Sequence, residues 1–275
     1  MLSSYGIFEE LDNKIFKLNA LGETFVSDDP DSLYPIAIYL NKEDSYFRAF
    51  SEILYSIETG KSSFEKVFHT SFFEYLKQNK SSHENFNQYM VGKFTPIFRD
   101  VIKKYDFSLF NTIVDIGGGN GNFIFEILKK YKNAHGVIFD LQELRKTVLD
   151  NIAKESLTGR CEFIGDDFFI TIPKNADLYI MKSIIHDWAD NDAIKILNNC
   201  YNAMSKNSKL LIIEQIVYHN QSNDCVKLSD MMMLSLFGSK ERSKEEFTEL
   251  LSRAHFKISN ILETDTEFSI IEVIK

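Results

Sequence analysis

The period of apolar and polar positions changes along the chain. Over residues 43–60, Phe47, Phe50, Ile53, Leu54 and Ile57 recur every three or four residues, the spacing of one buried helical face, and Gly60 supplies a stop. Phe64, Val67 and Phe68, then Phe72, Phe73, Tyr75 and Leu76, then Phe86, Tyr89, Met90, Phe94, Ile97 and Phe98 keep that period. They predict a helical lobe dense in phenylalanine. Residues 1 to about 42 read as irregular, except that 14–18 alternate like an edge strand before an Asn-Ala-Leu-Gly turn at 19–22. Polarity rises between Tyr105 and Asn111, and beyond it short apolar runs alternate with helical patterns. Strands are predicted at 113–116, 136–139, 162–164, 178–182 and 209–217, with helices at 123–130, 144–155, 193–204 and 244–254. Strand alternating with helix implies an α/β doubly wound, mostly parallel sheet. Two last strands, 257–262 and 268–274, are separated by a turn-length segment, so a hairpin would set an antiparallel strand into that sheet. The expected division is a smaller, mainly helical lobe at 1–105 and a sheet domain at 106–275.

Composition narrows the class. With 275 residues, 44% of them hydrophobic, the chain can bury a large core. A net charge of −9 argues against a broad nucleic-acid or anionic-membrane surface. Cys161, Cys200 and Cys225 are odd in number and widely spaced, which suggests neither a disulfide framework nor a structural zinc site, and a reducing cytoplasm is the expected setting. The N-terminus lacks a basic region followed by an apolar core, and no apolar run reaches the ~18 residues that span a bilayer.

The chemistry gathers where strands end. Residues 115–121, DIGGGNG, carry an apolar strand into four glycines within five positions and then into a helix. Such a loop lets a ligand lie against backbone at a helix N-terminus, so a nucleotide-like cofactor is its natural occupant; the plain alternative is a tight turn. The dinucleotide fingerprint fits only at Gly117 and Gly119, because its third glycine falls on Asn122. An acid followed by alternate glycines, Asp115, Gly117, Gly119 and Gly121, fits better. Asp140, about twenty residues on, stands where a carboxylate accepts ribose hydroxyls, or where it caps a helix. In GDDFF at 165–169, Asp166 or Asp167 and Phe168 could meet an adenine, or form an ordinary loop.

The fourth strand runs into His186, Asp187 and the single Trp, Trp188, beside the expected cleft. Histidine is the side chain suited to take a proton near neutrality, although a lone His is more often structural. Asp187, Asp190 and Asp192 lack the glycine and distal Glu of a calcium loop, so no metal is expected, and residues 190–192 read as a helix cap. Ser243 and Glu246 read as a capping box. Glu214 lies inside an apolar strand and needs a partner; Glu241 alone would be a surface charge. The run from Asp230 to Phe237, rich in Met, reads as core packing or as the apolar wall of a pocket.

Together these residues resemble the S-adenosylmethionine (SAM)-dependent O-methyltransferases of the caffeic-acid and hydroxyindole type, including their bacterial small-molecule relatives. DIGGGNG at 115–121, FDL at 139–141, GDDFF at 165–169, ADLYIMKSIIHDWAD at 176–190, the strand with Glu214, and SDMMML with GSKER over 229–242 carry the match, which extends from about Lys14 to the C-terminus. The resemblance implies a Rossmann-like domain, with SAM contacts at Gly117, Asp140, Leu141, Asp167, Phe168 and Lys182, and Asp166 as the alternative to Asp167. It places a general base at His186, flanked by Glu214 and Glu241, and acceptor-pocket positions at Phe86, Met90 and Met233. Asp187, Trp188 and Phe237 join the candidates on the acceptor side, and Asp115 and Gly119 those on the cofactor side.

The implied reaction is metal-independent methyl transfer to a hydroxyl of a small aromatic or polyketide-like metabolite, leaving S-adenosylhomocysteine. Family members normally open with a complete winged-helix region used in dimerisation, whereas this chain starts close to the wing, around Tyr5 to Phe25, which weakens the case for the usual intertwined homodimer. Two rival readings share the fold: a nicotinamide-dependent oxidoreductase and a non-catalytic SAM-binding scaffold.

Overall fold

The computed structural model describes the chain apart from residues 29–31, 43 and 219–223. The N-terminal part holds a two-stranded antiparallel hairpin, β1 (Phe8–Leu11) and β2 (Ile15–Leu18), then α1 (Ala20–Glu23), α2 (Tyr34–Lys42), α3 (Asp44–Ser51), α4 (Ile53–Thr59), α5 (Ser63–Phe68), α6 (Phe72–Gln78) and the long α7 (Lys80–Lys104). Several expectations for this part are corrected by the structure. The supposed turn at 19–22 is a short helix whose first free amides are met by the Asn19 side chain, which accepts from Gly22 N at 2.9 Å. Segments read as irregular form β1 and α2. The helix predicted over 43–60 begins at a residue outside the described ones and divides at Glu52, whose backbone (φ −100°, ψ 18°) leaves the helical region. Gly60 ends it in the left-handed conformation, as its position suggested (φ 68°).

The sheet domain contains β3 (Thr112–Ile116), α8 (Asn122–Lys130), β4 (His135–Asp140), α9 (Arg145–Lys154), β5 (Cys161–Gly165), β6 (Leu178–Lys182), α10 (Asp190–Ala203) and β7 (Lys209–Val217). It continues with α11 (Asp224–Phe237), β8 (Arg242–Ser243), α12 (Lys244–Arg253), β9 (Lys257–Glu263) and β10 (Phe268–Ile274). Strand order is β5-β4-β3-β6-β7-β10-β9, parallel through β7, with β10 antiparallel between β7 and β9 and the short β8 paired to the end of β7. The C-terminal hairpin therefore inserts the reversed strand that the sequence implied.

Apolar side chains on each face of the sheet form two cores. One packs α7 and α8 on the sheet through Phe94, Phe98, Val101, Phe123 and Ile124; the other packs α10 and α12 through Ile196, Leu197, Phe247 and Leu251. A third cluster, Ala49, Phe64, Phe72, Leu76 and Leu236, joins the N-terminal helices to α11. The methionine-rich run, given no secondary structure from sequence, is thus a helix that ties the later chain to the earlier lobe. The capping box at Ser243 and Glu246 is present. The expected cap at 190–192 is not: Ala189 is the N-cap, no side chain caps the helix, and Asp190 and Asp192 sit in its first turn, where the macrodipole favours them.

Candidate active site

The carboxyl edge of the parallel strands assembles the site. β3 delivers the glycine loop, and Gly117, Gly119 and Gly121 all take positive φ. At Gly119 (φ +56°) a built side chain would meet open space, whereas at Gly121 it would lie 2.5 Å from Ile138 Cδ1 and Phe125 Cζ. So Gly121 is dictated by packing, and Gly119 presents bare backbone to open space. Beneath the loop, the buried Asp115 carboxylate leaves Oδ2 without a hydrogen-bond partner. Burial pushes Asp115 up to about 7, the Lys182 ammonium pulling the other way.

Asp140 ends β4 with its carboxylate turned back on the loop: Oδ2 accepts from Gly119 N at 2.8 Å and Oδ1 from Leu141 N at 2.7 Å. Each oxygen keeps acceptor capacity for a further donor such as a ribose hydroxyl. Burial raises the Asp140 pKa and those two amides oppose it. At the end of β5, Asp166 N donates to Asp140 O, Asp167 closes a turn by accepting from Phe169 N at 2.8 Å, and Phe168 is half-buried. Lys182 ends β6, and burial lowers its pKa to about 8 against the pull of Asp115 and Glu214.

His186 sits in a single 3-10 turn just past β6, and three carboxylates surround its ring. Nδ1 is 2.9 Å from Glu241 Oε1 and 3.4 Å from Glu214 Oε2; Nε2 is 3.4 Å from Asp187 Oδ1. Burial depresses the imidazole pKa, but Glu214, Glu241 and Asp187 outweigh it and carry it to about 10. Burial pushes Asp187 up to about 7 despite His186. It also raises Glu214, while at Glu241 the His186 charge and hydrogen bonds overcome burial and hold the carboxyl below its ordinary value.

The partner that Glu214 needed is backbone: Oε1 accepts from Ile184 N and Ile185 N at 3.0 Å and from His186 N at 3.4 Å. Glu241, a surface charge when read alone but an acid beside His186 by the resemblance, is 2% exposed, with Oε1 also accepting from Ser229 Oγ at 2.8 Å. Sequence reading passed over Arg242 and Ser239. Arg242 is 1% exposed and donates to Ile185 O at 2.9 Å, Trp188 O at 2.8 Å and Asp190 Oδ1, while Ser239 Oγ donates to His186 O at 2.6 Å. Arginine after a glutamate in a polar stretch ordinarily reads as a solvated charge, so nothing in the pattern marked it.

The acceptor-side candidates divide. Phe86 packs on Tyr39, Phe72 and Tyr89, and Phe237 on Phe72 and Phe73. Met233 is buried in α11, Met90 is half-buried against the α7–α8 core, and Asp187 touches His186. Trp188 turns its ring the other way, onto Phe168 and Phe169.

A doubly wound sheet closed by a reversed strand, with a glycine loop at its carboxyl edge, is the class I methyltransferase fold, and here an acid-ringed histidine stands at the same edge. Residues 50–257 match the O-methyltransferase domain family, and the chain belongs to it: it is an O-methyltransferase. Phenazine O-methyltransferase PhzM of Lysobacter antibioticus is 35% identical over 271 residues, covering 98% of this chain and 79% of that one. The structure of the mitomycin 7-O-methyltransferase MmcR superposes with a TM-score of 0.91 at 30% identity, over 100% of this chain and 81% of that one. NcsB1, an O-methyltransferase from neocarzinostatin biosynthesis solved with SAM and 2-hydroxy-5-methyl naphthoic acid, superposes with a TM-score of 0.85 at 26% identity, over 99% and 82%. The family match sets aside the nicotinamide reading.

Proposed function

We propose that the chain methylates a hydroxyl of a small aromatic metabolite, with His186 as general base and no metal. The cofactor is SAM, and the residues fit it. Gly119 offers bare backbone beside open space, Asp140 retains acceptor capacity, and Asp115 keeps a buried oxygen free under the loop. Gly117, Gly119, Asp140 and Leu141 would hold its nucleoside, Asp166 or Asp167 with Phe168 its base, and Asp115 and Lys182 its methionyl end. Bound there, SAM supplies an electrophilic sulfonium methyl.

The observation that carries the reading is the ring of acids about His186. Glu241 and Glu214 both face Nδ1, so they fix the tautomer, leave Nε2 as the proton acceptor and stabilise the imidazolium that forms. Phe86, Met90, Met233 and Phe237 supply an apolar setting for an aromatic acceptor, Asp187 a polar contact beside Nε2, and Trp188 supports the loop. Because the sulfonium methyl needs no Lewis acid, positioning and proton removal suffice. In this reading residues 1–105 serve mainly as the acceptor-side lobe and 106–275 as the cofactor domain.

His186→Ala is expected to lower kcat by about 10²–10⁴-fold with SAM affinity unchanged, measured by labelled methyl transfer and calorimetry. Since the imidazole holds its proton up to about 10, kcat/KM should rise with pH through the alkaline range and lose that limb in the variant. His186, Glu214 and Glu241 also present ligand atoms within 4.8 Å of one another, a spacing that can hold a metal ion. Activity undiminished by EDTA supports proton transfer; loss on chelation with recovery by a divalent cation overturns metal independence.

A further inference from the structure

Helix α7 carries Phe86, Met90 and Lys93 at i, i+4 and i+7, so the three share one face. The Lys93 ammonium stands among rings, 5.5 Å from the Phe94 centroid and 5.9 Å from those of Tyr89 and Phe268. Phe94 also carries Lys182, whose ammonium lies 3.7 Å from the same centroid. Two cations therefore share one aromatic ring, and neither has an ion pair or hydrogen bond to a described residue. The Lys93 charge lowers the pKa of Lys182 and of Glu241, so it reaches both the cofactor side and the imidazole side of the site. Cation–π contact offsets only part of the cost of holding two like charges in a half-buried aromatic setting. An anion between them would remove the rest.

We infer that Lys93 is the counter-ion for a carboxylate on the methyl acceptor, which makes the substrate class hydroxylated aromatic acids rather than neutral phenols. This rests on the O-methylation reading above. Lys182 lies on the strand edge beside the glycine loop, where the cofactor's own carboxylate would be met. Lys93 lies on the helix that bears the apolar acceptor wall. The position matters because Asp187, Glu214 and Glu241 would repel an anionic acceptor, and Lys93 is a cation on the acceptor side that admits one.

The test is calorimetric binding of a hydroxynaphthoate, and of the naphthol lacking its carboxylate, to protein loaded with S-adenosylhomocysteine. Wild type should favour the hydroxynaphthoate by about 10–100-fold. Lys93→Met, which keeps an apolar stem against the rings, should erase that preference while leaving the naphthol and S-adenosylhomocysteine affinities alone; Lys93→Arg should retain it. No preference in wild type, or a preference that survives in Lys93→Met, overturns the inference. So does a loss confined to S-adenosylhomocysteine, which would make the cofactor's carboxylate the ligand. Methyl transfer followed in parallel separates the two readings: a preserved binding preference without product removes O-methylation of these acids and leaves the ion pair standing.

Discussion

Glu214 and Arg242 hold one short segment from opposite chemical sides. A single carboxylate oxygen gathers the amides of residues 184–186, while the guanidinium takes the carbonyls of Ile185 and Trp188. The imidazole is thus aimed by backbone that cannot rotate without losing charge-assisted hydrogen bonds. Arg242→Met should lower the unfolding free energy by roughly 3 kcal/mol, read by urea denaturation, and reduce kcat as well. A fully active variant of wild-type stability would remove Arg242 as a positioning residue. Asp115 tests burial. Its carboxyl is raised from 3.8 to about 7, so the stability it contributes is complete below about 3.8 and is lost as pH rises through 7. Asp115→Asn should therefore gain more in Tm over wild type near pH 8 than near pH 5; an equal difference at both would refute this. At this scale the sequence disclosed the positions of Asp140 and His186 at strand ends and the isolation of Glu214 within its strand. It hid Arg242 and Ser239, and Glu241 showed itself only through the resemblance, because partners brought together by α11 and β8 leave no mark in local spacing.

The glycine loop separates packing from binding within one element. Gly121→Ala would force a side chain at φ +85° against Ile138 and Phe125, costing about 1–3 kcal/mol from crowding beyond the left-handed penalty. Gly119→Ala meets no neighbour and should cost roughly 1–2 kcal/mol in stability, yet strongly weaken S-adenosylhomocysteine binding. Thermal melts with calorimetric titrations of both variants decide this, and undiminished binding in Gly119→Ala would remove the loop from the cofactor site. Most strands of the sheet were legible because a short, mainly apolar run is closed by a turn, even where Asp115 or Glu214 interrupts it. The N-terminal segments were not: β1, Phe-Glu-Glu-Leu, pairs with a single neighbour and has little periodicity to reveal it. The break at Glu52 falls inside a continuous helical pattern with no glycine or proline before Gly60, and α3 and α4 on either side of it both pack on α5.

Across the whole molecule the two proposed lobes are laced together. Phe94, Ile97, Phe98 and Val101 of α7 enter the sheet's core, and α11 returns the connection, Ser62 and Ser63 donating to the Ser235 carbonyl at 3.0 and 3.3 Å. Unfolding should accordingly be a single transition, with calorimetric and van't Hoff enthalpies in agreement; a van't Hoff value near half the calorimetric one would signal separately melting lobes. The alternating elements and the reversed final strand made the class of fold readable from sequence. The lacing was not, since it depends on which face of α11 meets helices far earlier in the chain. No helix among the described residues is long and apolar enough to cross a membrane.

Trp188 gives the molecule an unplanned instrument. It is the chain's single indole among 24 phenylalanines and 12 tyrosines, its ring lies edge-on to Phe169 at 4.7 Å, and its carbonyl is tied to Arg242 two residues from the imidazole. Light absorbed at the red edge of the protein spectrum is therefore emitted from one place only, the junction between the Phe168–Phe169 pair and the histidine segment. Any quenching or spectral shift on mixing reports that spot, unlabelled and in real time.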